Sequence, residues 1–201
     1  MTALSEPIGR NAVHLCIDMQ RLFAESTDWH TPTLADIVPN VTRILEAKAG
    51  HTIFARFTVP DTPETAQGAW RSYYRRWLGI TEAASKDPGL IDLVEPFATL
   101  ARGEEILDKP TYSMFGVAEL QERLAARNID TLIITGVETD ICVLATVFDA
   151  VDRGYRVIVV EDAVTSSSLE SHQAVMDLLL PRVPEQIALA STATLIAGWT
   201  D

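Results

Sequence analysis

Four short, nearly continuous apolar runs constrain the fold of this chain more than any other feature: VHLCI (13–17), TIFARF (52–57), TLIIT (131–135) and RVIVV (156–160). A strand with one face in water alternates apolar and polar residues, whereas a strand covered on both faces reads as an unbroken apolar run, as in a parallel sheet layered between helices. Two weaker runs, Glu105–Leu107 and Gln186–Ala190, bring the expected strands to six. Between the runs, Ile37, Val41, Ile44 and Leu45 follow helical spacing, as do Val117, Leu120 and Leu124, and then Leu144, Val147, Phe148 and Val151. Gly50 and Gly154 fall where such helices should end. This alternation predicts an α/β protein, a three-layer α/β/α sandwich around about six parallel strands. With 201 residues, 47% of them hydrophobic, one domain over residues 1–201 is expected.

The rhythm breaks at about 59–100, where Pro60, Pro63, Pro88 and Pro96 interrupt the chain and GAWRSYYRRW (68–77) concentrates aromatic and basic side chains. A long irregular crossover of this kind serves a functional loop or a contact with another chain. Sixteen Lys and Arg against 28 Asp and Glu, a net charge of -12, do not supply the basic footprint that polyphosphate binding needs, so no nucleic acid partner is expected. No run approaches the roughly 18 apolar residues of a membrane span, and the first residues lack a basic stretch followed by a long apolar one. A cytoplasmic protein without a membrane partner is therefore expected. The two cysteines, Cys16 and Cys142, are too few for a disulfide framework and lack the paired spacing of a zinc site.

In an open α/β sheet, ligands meet the carboxyl ends of the strands, so polar residues just after strand cores are the candidates for chemistry. Asp18 ends VHLCID, Lys109 ends EILDK, and Cys142 follows TLIIT through the turn GVETDI. Cys142 opens a helical run with Thr139 or Asp140 in position to cap it, and a helix N-terminus is expected to lower a thiol pKa and to offer amides to an oxyanion. Singly, each residue has a structural explanation: a buried thiol, a turn aspartate, a solvated lysine. Their coincidence at one sheet edge argues for catalysis. Cys16, inside a strand, reads as core. His14, His30, His51 and His172 lack metal spacing and read as structural; a Cys142–His172 dyad is the competing arrangement, weakened because SLESHQAVMDLLL has no strand end to aim His172 at the site.

CIDMQRLF around Asp18, ILDKPTYSMF around Lys109 and ITGVETDICVLATVFDAVDRGYRVIVVEDAV around Cys142, in this order and separation, resemble the isochorismatase-like cysteine hydrolases, which include nicotinamidases and N-carbamoylsarcosine amidase. The resemblance implies a Rossmann-like sheet and a catalytic triad of Asp18, Lys109 and Cys142. It also implies a cis peptide between Val137 and Glu138, with an oxyanion hole from the amides of Glu138 and Cys142. The reaction implied is cleavage of an amide or ureido carbon–nitrogen bond through a thioester. Nicotinamidases of the family hold a metal through an Asp and two histidines after the second strand; here that stretch reads RFTVPDTPETAQGAW, with Asp61 but no histidine, so no metal and no other cofactor are expected. Relatives that cleave the vinyl ether of isochorismate can lack the cysteine, which makes ether hydrolysis the alternative, and a non-catalytic binding or scaffold subunit a third reading.

Phe23, Trp70, Tyr73, Tyr74, Trp77, Tyr112 and Phe115 are the candidates to wall a small-molecule pocket. Trp70 to Trp77 read equally well as a subunit contact, and with the resemblance they lead to an expected homodimer or homotetramer. Arg56, Arg71, Arg75 and Arg76 are candidates to hold a substrate carboxylate.

Overall fold

A computed structural model describes residue 4, residues 6–101 and residues 105–200. Six strands, β1 (Ala12–Ile17), β2 (Thr52–Phe57), β3 (Ile106–Lys109), β4 (Thr131–Gly136), β5 (Arg156–Val164) and β6 (Ile187–Ala190), form one parallel sheet in the order β3-β2-β1-β4-β5-β6. The apolar runs dictate this: every residue of β1 and of β4 is buried. Each fully covered Leu or Ile there contributes roughly 1.5–3 kcal/mol relative to exposure.

Helices flank the sheet. In chain order they are α1 (Arg21–Ala24), α2 (Leu34–Ala47), α3 (Trp70–Arg76), α4 (Glu82–Ser85), α5 (Phe97–Leu100), α6 (Ala118–Ala126), α7 (Leu144–Asp152), α8 (Leu169–Gln173) and α9 (Thr192–Gly198). The long amphipathic α2 turns Leu34, Ile37, Val41, Ile44 and Leu45 inward and packs on β4, β5 and α9. The crossover expected at 59–100 is a chain of short helices and single turns.

Two strands differ from the expectation by more than one residue at an end. β3 starts one residue later and runs on to Lys109, because its pairing with β2 continues through Phe57↔Lys109. β5 continues past Val160 to Val164 although Glu161 and Asp162 are exposed. Asp162 Oδ1 accepts both the backbone N–H and the hydroxyl of Thr192, each at 2.8 Å, so the polar residue holds the start of α9.

The chain reverses its direction of strand addition between β1 and β4, and the ends of these two strands are pressed together there. Gly136 has φ +107, and a Cβ on it would collide with the Ile17 carbonyl. Only glycine lets β4 end this close to β1. The next residue, Val137, donates to Ile17 O at 3.0 Å and is joined to Glu138 by a cis peptide.

Candidate active site

Three elements converge at this edge. Asp18, the residue after β1, has φ +53, a left-handed conformation that aspartate tolerates better than most side chains. Lys109 ends β3, two strands away, where adjacent strands lie about 4.8 Å apart. Its long side chain crosses β2, passes its Nζ over the Phe57 ring at 4.6 Å, and reaches Asp18 Oδ2 at 2.8 Å and the Thr111 carbonyl at 3.1 Å. Both partners of the ion pair are fully buried. Such a pair costs desolvation that only good geometry offsets, so its presence points to function rather than stability.

Gln20 holds the crossing in place. Its amide donates to the carbonyls of Phe57 (3.0 Å) and Ile91 (2.8 Å), and its oxygen accepts from Phe57 N–H at 2.6 Å, clamping the end of β2 under the lysine. The sequence offered this glutamine only as part of an Asp-Met-Gln tripeptide.

Cys142 lies in a π-helical turn, Thr139–Val143, that feeds α7. Single π turns of this kind are concentrated at functional sites. The expected Thr139 or Asp140 cap is absent: the cap residue is Glu138, without a side-chain cap bond. Instead Ser166 donates to Asp140 Oδ1 at 2.7 Å, and Thr146 Oγ1 donates to Cys142 O at 2.8 Å while accepting from Met114 N–H at 3.1 Å. The nucleophile candidate is thus tied to the segment that follows β3. Glu138 Oε1 accepts from Thr31 Oγ1 (3.3 Å) and Ser167 N–H (2.8 Å), joining two further loops at the same point.

The electrostatics correct one expectation. The Cys142 thiol does not become acidic; burial pushes its pKa well above 9.0, the neighbouring Asp18 adds to the rise, and Lys109 opposes it. Burial likewise raises Asp18, opposed by Lys109 and by hydrogen bonding from the Cys142 side chain. Asp18 Oδ1 is buried without a geometric hydrogen-bond partner. Lys109 therefore counters the effect of burial on both groups, the proton stays on sulfur, and the Asp18 carboxyl lies beside it as the partner for that proton. His172 is engaged by Thr139, its Nδ1 meeting Oγ1 at 2.9 Å.

An isochorismatase domain model matches residues 12–191, a span that contains all three groups. The chain belongs to the isochorismatase family. A probable inactive nicotinamidase of Arabidopsis thaliana, At3g16190, is 30% identical over 82% of this chain and 86% of its own length. The ureidoacrylate amidohydrolase RutB of Methylobacterium radiotolerans is 37% identical over 46% of this chain and 34% of that enzyme; other curated matches also span less than half of the relative. A crystal structure of a cysteine hydrolase from Pseudomonas syringae pv. phaseolicola superimposes with a TM-score of 0.76 at 26% identity, covering 96% of this chain and 97% of that one.

In this isochorismatase-family chain the aromatic crossover turns inward. Trp70, Tyr73 and Tyr74 on α3 pack with Phe57 and Tyr112, with Trp70 and Tyr112 only 4.7 Å apart between centroids. Phe23 joins through Trp29, which also contacts Phe57, Tyr73 and Tyr74. Burial raises the pKa values of Tyr73, Tyr74 and Tyr112, and a Cys142 thiolate would add to the rise, so these rings lie within electrostatic reach of the thiol. Trp29 escaped the sequence reading, being a lone aromatic in a polar stretch.

Two expected wall residues are not brought to this cluster. Phe115 stacks on Tyr155 at 5.8 Å beneath Arg153, toward the far end of α7, and Trp77 lies under the Arg76 guanidinium at 4.8 Å. The arginines are engaged elsewhere: Arg56 pairs bidentately with Asp108 (2.7 and 2.9 Å), Arg75 with Glu64, and Arg71 donates to the Ala66 carbonyl. Among the described residues no group of three or more His, Cys, Asp or Glu is placed to hold a metal ion, and no helix is long and apolar enough to cross a membrane.

Proposed function

We propose that this isochorismatase-family chain is a cysteine amidohydrolase that cleaves an amide or ureido carbon–nitrogen bond of a small molecule. The observation that carries the reading is the convergence of Cys142, Asp18 and Lys109 at the switch point, with the thiol beside a carboxyl group that a buried lysine contacts at 2.8 Å. The relatives named for amide hydrolysis support it.

In this mechanism Asp18 takes the Cys142 proton as sulfur attacks the carbonyl carbon, forming a C–S bond. The oxygen gains the negative charge and is received by the backbone amides of Glu138 and Cys142, the donors that the family resemblance implies. Collapse breaks the C–N bond, and Asp18 returns its proton to the departing nitrogen. Water, deprotonated by the same carboxylate, then cleaves the thioester to the acid and restores the thiol. Lys109 stabilises Asp18 in its charged form before the proton is taken and again after it is returned. The chain would act as a homodimer or homotetramer in the cytoplasm.

The test is ammonia release from a panel of small amides and ureido compounds by the wild type and Cys142→Ala. Release that vanishes in the variant supports the reading. Vinyl ether hydrolysis that survives Cys142→Ala would replace it with the isochorismate-type reaction, and inertness of both proteins toward amides and ethers would leave a binding role.

A further inference from the structure

The groups around Cys142 divide sharply by charge. Lys109, the buried cation of the triad, is spent on Asp18 and on the Thr111 carbonyl. Arg56 is held by Asp108 and Asp92, Arg75 by Glu64, and Arg76 covers Trp77. Arg71 is exposed and bonds a backbone carbonyl. Burial raises the Cys142 pKa most; of the charges near it, Lys109 lowers it while two carboxylates, Asp18 and Glu138, raise it, so one cation already paired with Asp18 stands against two anions.

A cavity of about 350 Å³ opens between the ends of β2 and β3, and its wall includes Thr111, whose carbonyl accepts from Lys109 Nζ at 3.1 Å. Thr58, Thr65, Gln67, Trp70, Tyr74 and Thr111 supply its polar and aromatic side chains, and none of its lining residues is charged. Neutral hydrogen-bonding groups are plentiful nearby. Burial raises the pKa values of Tyr73, Tyr74 and Tyr112, so their hydroxyls stay protonated, and the indole Nε1 of Trp29 is buried without a hydrogen-bond partner.

We propose that this site selects an uncharged carboxamide or ureide and discriminates against substrates that carry a carboxylate. The inference rests on the amidohydrolase reading and narrows its substrate class. A carboxylate entering the uncharged cavity leaves water without a free counter-ion, since Lys109 is already paired with Asp18, whereas a neutral amide exchanges water for hydroxyl and indole partners. A site whose polar groups match one ligand and not the other discriminates by about 10²-fold or more.

Two measurements on the intact protein test it. The first compares alkylation of Cys142 by neutral iodoacetamide and by anionic iodoacetate, with glutathione as the free-thiol reference. The ratio of the two rates at Cys142 should exceed the glutathione ratio by about 30-fold or more, and a ratio no greater than that of glutathione overturns the proposal. The second compares ammonia release from matched pairs, butyramide with succinamate and benzamide with 4-carbamoylbenzoate. The neutral member should be favoured by about 100-fold in kcat/KM, and Gln67→Arg at the exposed mouth of the cavity should narrow the gap. A preference for the carboxylates that disappears in Arg71→Gln overturns the proposal by showing that α3 reads an anion. Release from neither pair, with the alkylation preference intact, removes the amidohydrolase reading while the selectivity of the pocket stands.

Discussion

Cys16 and Cys142 stand at two levels of the same pair of strands, and burial raises the pKa of both. Cys16 is paired in register with Thr135, hydrogen-bonds to it, and titrates at about 12 inside a polar ladder that continues through His14 to Thr52. Cys142 has left the sheet and meets Asp18, Lys109 and the amides of a π turn. What separates a core thiol from a nucleophile here is not acidity at rest. On the proposed reading it is the presence of a base to take the proton and of donors to receive the oxyanion, which a thiol in the middle of a strand lacks.

The largest difference should appear in turnover. Cys142→Ala is expected to lower kcat by at least ~10³-fold, while Cys16→Ala retains activity within a few-fold, both read by steady-state amide hydrolysis with folding checked by circular dichroism. Equal losses from the two substitutions would dissolve the distinction. Asp18→Asn sharpens it further. Removing the carboxylate leaves Lys109 as the dominant charge on the thiol, so Cys142 should alkylate faster at pH 7 even as hydrolysis is lost.

Next in size is the ion pair. Lys109→Ala leaves a buried carboxylate without its cation, and a loss of about 3–5 kcal/mol in urea unfolding is expected together with loss of activity. The ladder beneath Cys16 gives a pH-dependent effect. Burial holds His14 at about 3, below its ordinary 6.5, so the unfolded chain binds a proton that the folded one refuses. That contribution is fully present above pH 6.5 and is lost as pH falls toward 3, by an amount on the order of 4 kcal/mol. Urea midpoints between pH 7 and pH 4 should fall accordingly, and His14→Gln should flatten the slope. Smallest is Cys16→Ala itself, expected to cost about 1–2 kcal/mol through lost packing, measured by thermal or urea unfolding at neutral pH.

The same contrast governs what the sequence made legible. The layered sheet could be read because β1, β2, β4 and β5 are apolar on both faces, and that pattern leaves few alternatives. Asp18, Lys109 and Cys142 could be read because each breaks the apolar pattern at a strand end or the turn beyond it. Trp29 and Gln20 could not, since their roles arise only when residues distant in sequence, Tyr73, Phe57 and Ile91, arrive around them. The extension of β5 through Glu161 and Asp162 was hidden for a related reason, as an acidic pair reads as a loop until Thr192 is seen to need Asp162. Phe115 sits close in sequence to Lys109, yet the turn at Met114–Gly116 carries its ring to Tyr155. Proximity in sequence to a catalytic block did not set the direction of a side chain.

The central claim, that Cys142 forms a covalent acyl intermediate with Asp18 as the base, is tested most directly by intact and peptide mass spectrometry of the wild type quenched during turnover of an amide. A mass increase equal to the acyl group, confined to the peptide containing Cys142, removed by hydroxylamine and absent from Cys142→Ala, is the predicted result. Steady amide hydrolysis by the Cys142→Ala variant would contradict it.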